Sequence, residues 1–178
     1  MQLVCPAGNL PALQAAVDAG ANAVYAGFRD QTNARAFPGL NFSDDELRAG
    51  VRYAHAKGAK VYLALNTYPD SARVRDWYSA VDKAAALGCD AIIAAEMAVL
   101  DYAARTHPGL PRHLSVQGSA TTAPALKYAF ERFGISRAVL PRVLSLQQVE
   151  RLCERSPVPL EVFAFGSLCI MVEGRCQL

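Results

Sequence analysis

Hydrophobic positions along the chain follow two alternating patterns, an amphipathic helical period and then a short apolar run. The amphipathic stretches cover residues 10–19, 44–57, 72–87, 97–105, 122–133 and 145–154. Four of them end near a glycine, which is typical of a helix C-terminus: Gly20, Gly58, Gly88 and Gly134. The apolar runs predict strands over residues 3–5, 23–26, 60–65, 91–95, 113–116, 137–140 and 160–163.

This strict alternation of strand and helix predicts parallel strands joined by right-handed crossovers. A complete β/α barrel usually needs about 200–250 residues, and this chain has 178. An open doubly wound sheet would normally carry a glycine-rich phosphate loop after its first strand, whereas residues 5–9 hold a single glycine. We therefore expect an α/β fold, a TIM-like barrel of parallel strands. Residues 1–178 would form one domain, incomplete at its C-terminus, with the rest of the barrel after residue 178.

Composition narrows the class of protein. A formal net charge of +2 with 52% hydrophobic residues argues against disorder, and against a protein that binds nucleic-acid duplexes by neutralising phosphates. Apolar runs are too short to cross a bilayer, and the first residues lack the features of a signal peptide. We expect a cytoplasmic protein without a transmembrane segment.

Polar side chains follow the predicted strands, where a barrel collects its substrate-binding groups. The long connection over residues 27–41 is interpreted as a functional loop. The candidate substrate-binding residues are Arg35, Asn66, Gln117 and Arg142. They would suit an anionic or oxygen-rich small molecule, with Arg142 as a carboxylate clamp. A purely structural role stays open for the last three, and helix capping is expected of Asn9, Ser119 and Thr121.

The titratable side chains suggest one candidate metal site. The three histidines do not form a site, and Cys89 and Cys153 are expected to be structural and buried. Cys169 and Cys176 follow the last predicted strand, and thiolates are soft ligands for zinc or iron–sulfur iron. Zinc pairs usually lie closer in sequence, so spacing alone leaves both ligation and a structural role open.

Residues 161–178 resemble the signature segment of the collagenase-like peptidase family U32. The resemblance extends along the chain and is most specific to the family's UbiU-like branch, on the segments 3–13, 30–35, 39–42, 115–121 and 139–145. It implies a β/α-barrel protein of ubiquinone biosynthesis that hydroxylates a ring precursor without molecular oxygen. It identifies no catalytic residue.

The same resemblance implies a 4Fe–4S cluster on four cysteines, of which Cys169 and Cys176 would be two. Cys5 or a partner could add a ligand, and the family's remaining ligands lie past residue 178. Prephenate is implied as the oxygen-donor cosubstrate, and a UbiV-like protein as the partner in a heterodimer. The quinone precursor would be presented by a lipid-binding accessory protein.

The sequence leaves three alternative functions open. Sister branches of the family are similar in sequence and hydroxylate RNA nucleosides, although the near-neutral charge of this chain speaks mildly against RNA. The family description suggests a peptidase, but no protease constellation is visible in the sequence. The last alternative is a non-catalytic scaffold that binds a quinone precursor through apolar surface.

Overall fold

The computed structural model describes residues 1–166. Within that range seven strands alternate with six α-helices. The strands are β1 (Val4–Pro6), β2 (Ala23–Ala26), β3 (Lys60–Leu65), β4 (Ala91–Ala94), β5 (Arg112–Leu114), β6 (Arg137–Val139) and β7 (Leu160–Glu161). The helices are α1 (Leu10–Asp18), α2 (Asp44–Ala56), α3 (Val74–Leu87), α4 (Met97–Thr106), α5 (Ala123–Phe133) and α6 (Leu146–Arg155).

The strands form one parallel sheet in sequence order, from β1 to β7. The sheet curls: the Arg137 guanidinium at the start of β6 donates to the Gln2 side chain, just before β1, at 2.5 Å. The result is a curled half-barrel with a TIM-like α/β architecture, which confirms the predicted fold class. The extent of the domain and the continuation of the barrel after residue 178 stay predictions.

Side chains at alternate positions of β2, β3 and β4 belong to two different buried regions. Val24, Leu63 and Ile92 belong to the large core between the sheet and the helices. Their neighbours Ala23, Tyr62 and Ala91 form a smaller cluster. Helices pack on the large core only, so the smaller cluster lies on the concave face of the sheet.

Local signals in the sequence explain most of the helix ends. Ser43 caps the start of α2 with a capping box: its hydroxyl accepts from the Glu46 backbone N–H, and the Glu46 carboxylate accepts from the Ser43 backbone N–H. Gly88 ends α3 in the left-handed conformation, at a φ of 79° that favours glycine. Asn9 caps α1 as expected.

Three local predictions are corrected by the structure. Thr122, rather than Ser119 or Thr121, caps α5, because its extended backbone directs the hydroxyl to the Ala125 amide. The fifth strand is shorter than predicted, since residues 116–118 form a 3₁₀ turn. Cys153 is exposed, because Leu152 is the buried residue of α6.

Candidate active site

The long loop after β2 is held in place by two asparagines. The Asn33 side-chain amide donates to Asn41 Oδ1 at 2.9 Å, and the Asn41 amide donates to the Arg35 carbonyl at 2.6 Å. Gly27 allows this arrangement, because a Cβ at that position would lie 2.1 Å from Asn33 Nδ2. The backbone of Arg35 is therefore fixed while its side chain is exposed.

Residues that follow β3 form hydrogen bonds to the loop after β2. Asn66 Oδ1 accepts from the Ala34 amide at 3.0 Å, and Thr67 Oγ1 donates to the Gln31 carbonyl at 2.5 Å. The Trp77 indole N–H then donates to Thr67 Oγ1 at 3.2 Å. Asn66 thus has a structural role at the edge of the barrel mouth.

A cleft of about 610 Å³ lies between these two loops and the turn after β5. Both predicted amides, Asn66 and Gln117, line it. The Tyr68 hydroxyl donates to the Gln117 carbonyl at 2.6 Å and joins the two sides of the cleft. The other lining residues are Gln31, Asn33, Ala34, Ala36, Phe37, Thr67, Asp70, Arg73 and Trp77.

The two predicted arginines, Arg35 and Arg142, are not among the residues that line the cleft, and their charges act on the Tyr25 hydroxyl on the concave face. Burial raises the pKa of Tyr25. The charge of Arg35 opposes that rise, the Glu161 carboxylate adds to it, and the charge of Arg142 opposes it. The Arg142 guanidinium also stacks on the Phe163 ring, 3.6 Å from its centroid. The four candidate residues therefore comprise two amides that line the cleft and two arginines that lie outside its lining. Their role in substrate binding stays a prediction.

Deeper on the concave face lies a polar group that the sequence did not predict. The Tyr62 ring contacts the His113 ring edge to face, with centroids 4.7 Å apart. The Arg137 guanidinium lies over the Tyr62 ring. Arg137 pairs with Glu161 at 3.1 Å. His113 is 5% exposed, and its Nδ1 atom is buried without a hydrogen-bond partner. Desolvation, followed by the charges of Arg137 and Lys60, lowers the pKa of His113 to about 4.

This burial of a neutral histidine predicts a pH dependence of stability. An unfolded histidine titrates near pH 6.5, whereas folded His113 titrates near pH 4. Between these values the unfolded state binds the extra proton, so we expect the free energy of unfolding to fall by about 2–3 kcal/mol as the pH drops from 6.5 to 4. Urea denaturation of the parent protein and of His113→Phe, at several pH values across this range, measures the free energy of unfolding and checks this prediction. A pH dependence equally steep in both proteins would contradict it.

The other two histidines each contact a carboxylate near the surface. His55 contacts Asp90 at 2.8 Å and His107 contacts Asp82 at 2.7 Å. Glu96, at the end of β4, caps α4 by accepting from the Ala98 and Val99 amides. An acidic side chain directly before a helical period was the available signal for this role, because negative charge is favourable at a helix N-terminus.

The predicted metal ligands Cys169 and Cys176 lie outside the described residues. Among residues 1–166, no group of three or more His, Cys, Asp or Glu side chains could hold a metal ion. Cys5 packs against the core on the helix side of the sheet. Burial raises the pKa of the Cys89 thiol to about 12, which fits its expected structural role.

None of the helices in the described part of the chain is long and apolar enough to span a membrane.

The parallel sheet is curled, with helices on its convex side and polar side chains beyond its strand ends. These features define a TIM-like β/α-barrel protein. Within that class, the sequence profile of peptidase family U32 matches residues 8–178. The chain belongs to this family.

Curated relatives of the chain carry two kinds of name. It is 32% identical to tRNA hydroxylation protein P of Escherichia coli K12, over 99% of this chain and 39% of that protein. It is 34% identical to a protein named collagenase from Porphyromonas gingivalis, over 99% of this chain and 44% of that protein. The 23S rRNA 5-hydroxycytidine C2501 synthase of E. coli is 27% identical, over 100% of this chain and 26% of the relative. This chain thus spans less than half the length of each of these relatives.

A solved structure of a U32 peptidase superposes with a TM-score of 0.74 at 18% sequence identity, covering 91% of this chain and 68% of the other. At this level of identity the similarity concerns the fold.

Proposed function

We propose that the whole protein is an oxygen-independent hydroxylase subunit that acts on the ring of a ubiquinone precursor. The observation that carries the proposal is the series of UbiU-like segments distributed from residue 3 to residue 145, which is joined to the cysteine-bearing segment at residues 161–178. Relatives named as hydroxylation proteins support the reaction class. The ubiquinone ring as the substrate is the more specific part of the proposal, and it rests on the UbiU-like segments.

The arginine pair supports an anionic cosubstrate such as prephenate. Arg35 follows β2 and Arg142 follows β6, so both come after strand ends at the mouth of the barrel, and the charges of both act on the Tyr25 hydroxyl. Guanidinium groups bind carboxylates through charge-assisted, often bidentate hydrogen bonds. We propose that these two residues bind the carboxylates of the oxygen donor at the mouth of the barrel.

Cys169 and Cys176 are proposed as two of the four ligands of a 4Fe–4S cluster. Thiolates suit this cluster, and β7 leads directly into the segment that carries both cysteines. When bound, the cluster would supply one-electron chemistry for the hydroxylation. A UbiV-like partner in a heterodimer and a lipid-binding accessory protein complete the proposal.

An RNA nucleoside is the second candidate substrate. The names of the relatives from E. coli support it, because one acts on tRNA and the other on 23S rRNA. The near-neutral charge of this chain is evidence against an RNA substrate, because proteins that bind nucleic acid depend heavily on Lys and Arg contacts to phosphates.

A deletion strain grown without oxygen separates the two candidates. Mass spectrometry of its quinones should show loss of ubiquinone and accumulation of a precursor that lacks a ring hydroxyl, while its tRNA and rRNA nucleosides stay unchanged. Loss of a hydroxylated nucleoside with a normal quinone pool would instead establish the RNA function. The parent strain, and the deletion strain carrying the whole gene, serve as controls.

A further inference from the structure

Two partly exposed aromatic rings line the cleft, Phe37 in the loop after β2 and Tyr68 in the loop after β3. Phe37 is 41% exposed and Tyr68 is 50% exposed, although both line a concave site. Exposed rings in a concave site offer a surface on which a flat ligand can stack. We call this site the aromatic cleft, and define it by Phe37, Tyr68, Asn66 and Gln117.

Hydrogen bonds fix the position of the groups that line the aromatic cleft. The Tyr68 ring is anchored because its hydroxyl donates to the Gln117 carbonyl at 2.6 Å. The Asn66 amide is oriented by the Ala34 N–H, which donates to its oxygen. Preorganised groups lose little conformational freedom on binding. Side-chain amides can donate to a phenolic or quinone oxygen and accept from a hydroxyl.

The charges around the aromatic cleft are balanced. Among the described residues that line it, Asp70 and Arg73 are the charged ones. Arg73 also lies 3.5 Å from the Asp76 carboxylate. An RNA strand would need several positive charges for its phosphates. The balance of charge favours an uncharged ring.

From these observations we propose that the aromatic cleft binds the ring that is to be hydroxylated. The ring would stack on Tyr68 and Phe37, and its oxygen substituent would bond to Asn66 or Gln117. The anionic donor would bind separately, at Arg35 and Arg142. This inference rests on the proposed function, because it takes the substrate to be a phenol-type ring, and it divides the mouth of the barrel into a ring subsite and an anion subsite.

Binding of 2-propylphenol, a phenol ring with a short aliphatic chain, tests the assignment without turnover. We expect Tyr68→Ala to raise the Kd of the whole protein for this probe about tenfold, since it removes a stacking surface. Tyr68→Phe keeps the ring and should change the Kd less than about threefold. The matched control is Tyr128→Ala, on an exposed tyrosine of α5, which should leave the Kd unchanged. Titrations followed by ligand-observed NMR measure all four proteins.

A tryptophan gives a second, local readout. Trp77 lines the cleft and is the single tryptophan of these 178 residues. The probe should change its emission, and the change should be absent in Trp77→Phe. Equal Kd values for Tyr68→Ala and Tyr128→Ala, or no binding of the probe to the whole protein, would overturn the assignment. A normal quinone pool in the deletion strain would overturn the proposed function without altering a Tyr68-dependent Kd, so the two failures can be told apart.

Discussion

Replacing Arg112 with methionine should lower the free energy of unfolding by about 3–4 kcal/mol. The Arg112 guanidinium is buried and donates to main-chain carbonyls of two segments. It bonds to Leu110 at 2.7 Å and His107 at 3.4 Å before β5, and to Phe133 at 2.9 Å and Gly134 at 3.2 Å at the end of α5. Methionine fills similar space but deprives the Leu110 and Phe133 carbonyls of this donor, and both of those hydrogen bonds are buried.

Urea denaturation of the whole protein measures this effect. Arg112→Lys should be intermediate, because an ammonium group lacks the planar fork that reaches both segments. The control is Arg132→Met, which removes an exposed arginine 3.1 Å from Asp101 and should cost less than about 1 kcal/mol. A similar small loss in Arg112→Met would show that this buried hydrogen-bond group is not important for stability.

Cys176→Ala should abolish bound iron in the anaerobically purified whole protein. A 4Fe–4S cluster needs about four protein ligands, and removal of one thiolate exposes an iron to solvent and exchange. We expect the brown parent protein to contain iron and acid-labile sulfide, and the variant to be colourless. Iron and sulfide assays, together with the visible absorption spectrum, provide the measurement.

The matched control is Cys153→Ala. Cys153 lies exposed on α6, so its removal should change neither the iron content nor the spectrum. An iron-free parent protein that is still active would contradict the cluster proposal. Retention of the full iron content by Cys176→Ala would show that this residue is not a ligand.

The order of the strands was predictable because it rests on local patterns. Each strand is a short apolar run after a helix, and parallel pairing follows from the length of the crossovers. The convergence of Asn66 and Gln117 in one cleft followed from the same reasoning, because both come after strands. Ser43 and Ser145 were predictable as helix caps, since their capping partners lie three residues further on.

Contacts that depend on the curl of the sheet were not predictable from the sequence. Tyr62 and His113 belong to strands that are not adjacent in the sheet, and they meet because the concave face is tightly curved. Arg137 and Glu161 face the same interior. The aromatic cleft was missed for a related reason, because Phe37 and Tyr68 belong to loops whose path is set by asparagine hydrogen bonds rather than by periodicity.

The most direct test of the central claim is the ubiquinone content of anoxic deletion cells that carry variants of the whole gene. Arg142 follows β6 at the mouth of the barrel, and Arg142→Gln removes the charge proposed to bind the oxygen donor. We expect this variant to restore less than about a tenth of the parental ubiquinone, because a charge-assisted carboxylate contact contributes about 1.5–3 kcal/mol. Arg48→Gln, on an exposed arginine of α2, should restore it fully. Equal ubiquinone in both strains, with each protein present at the parental level, would contradict the proposed hydroxylation at this mouth.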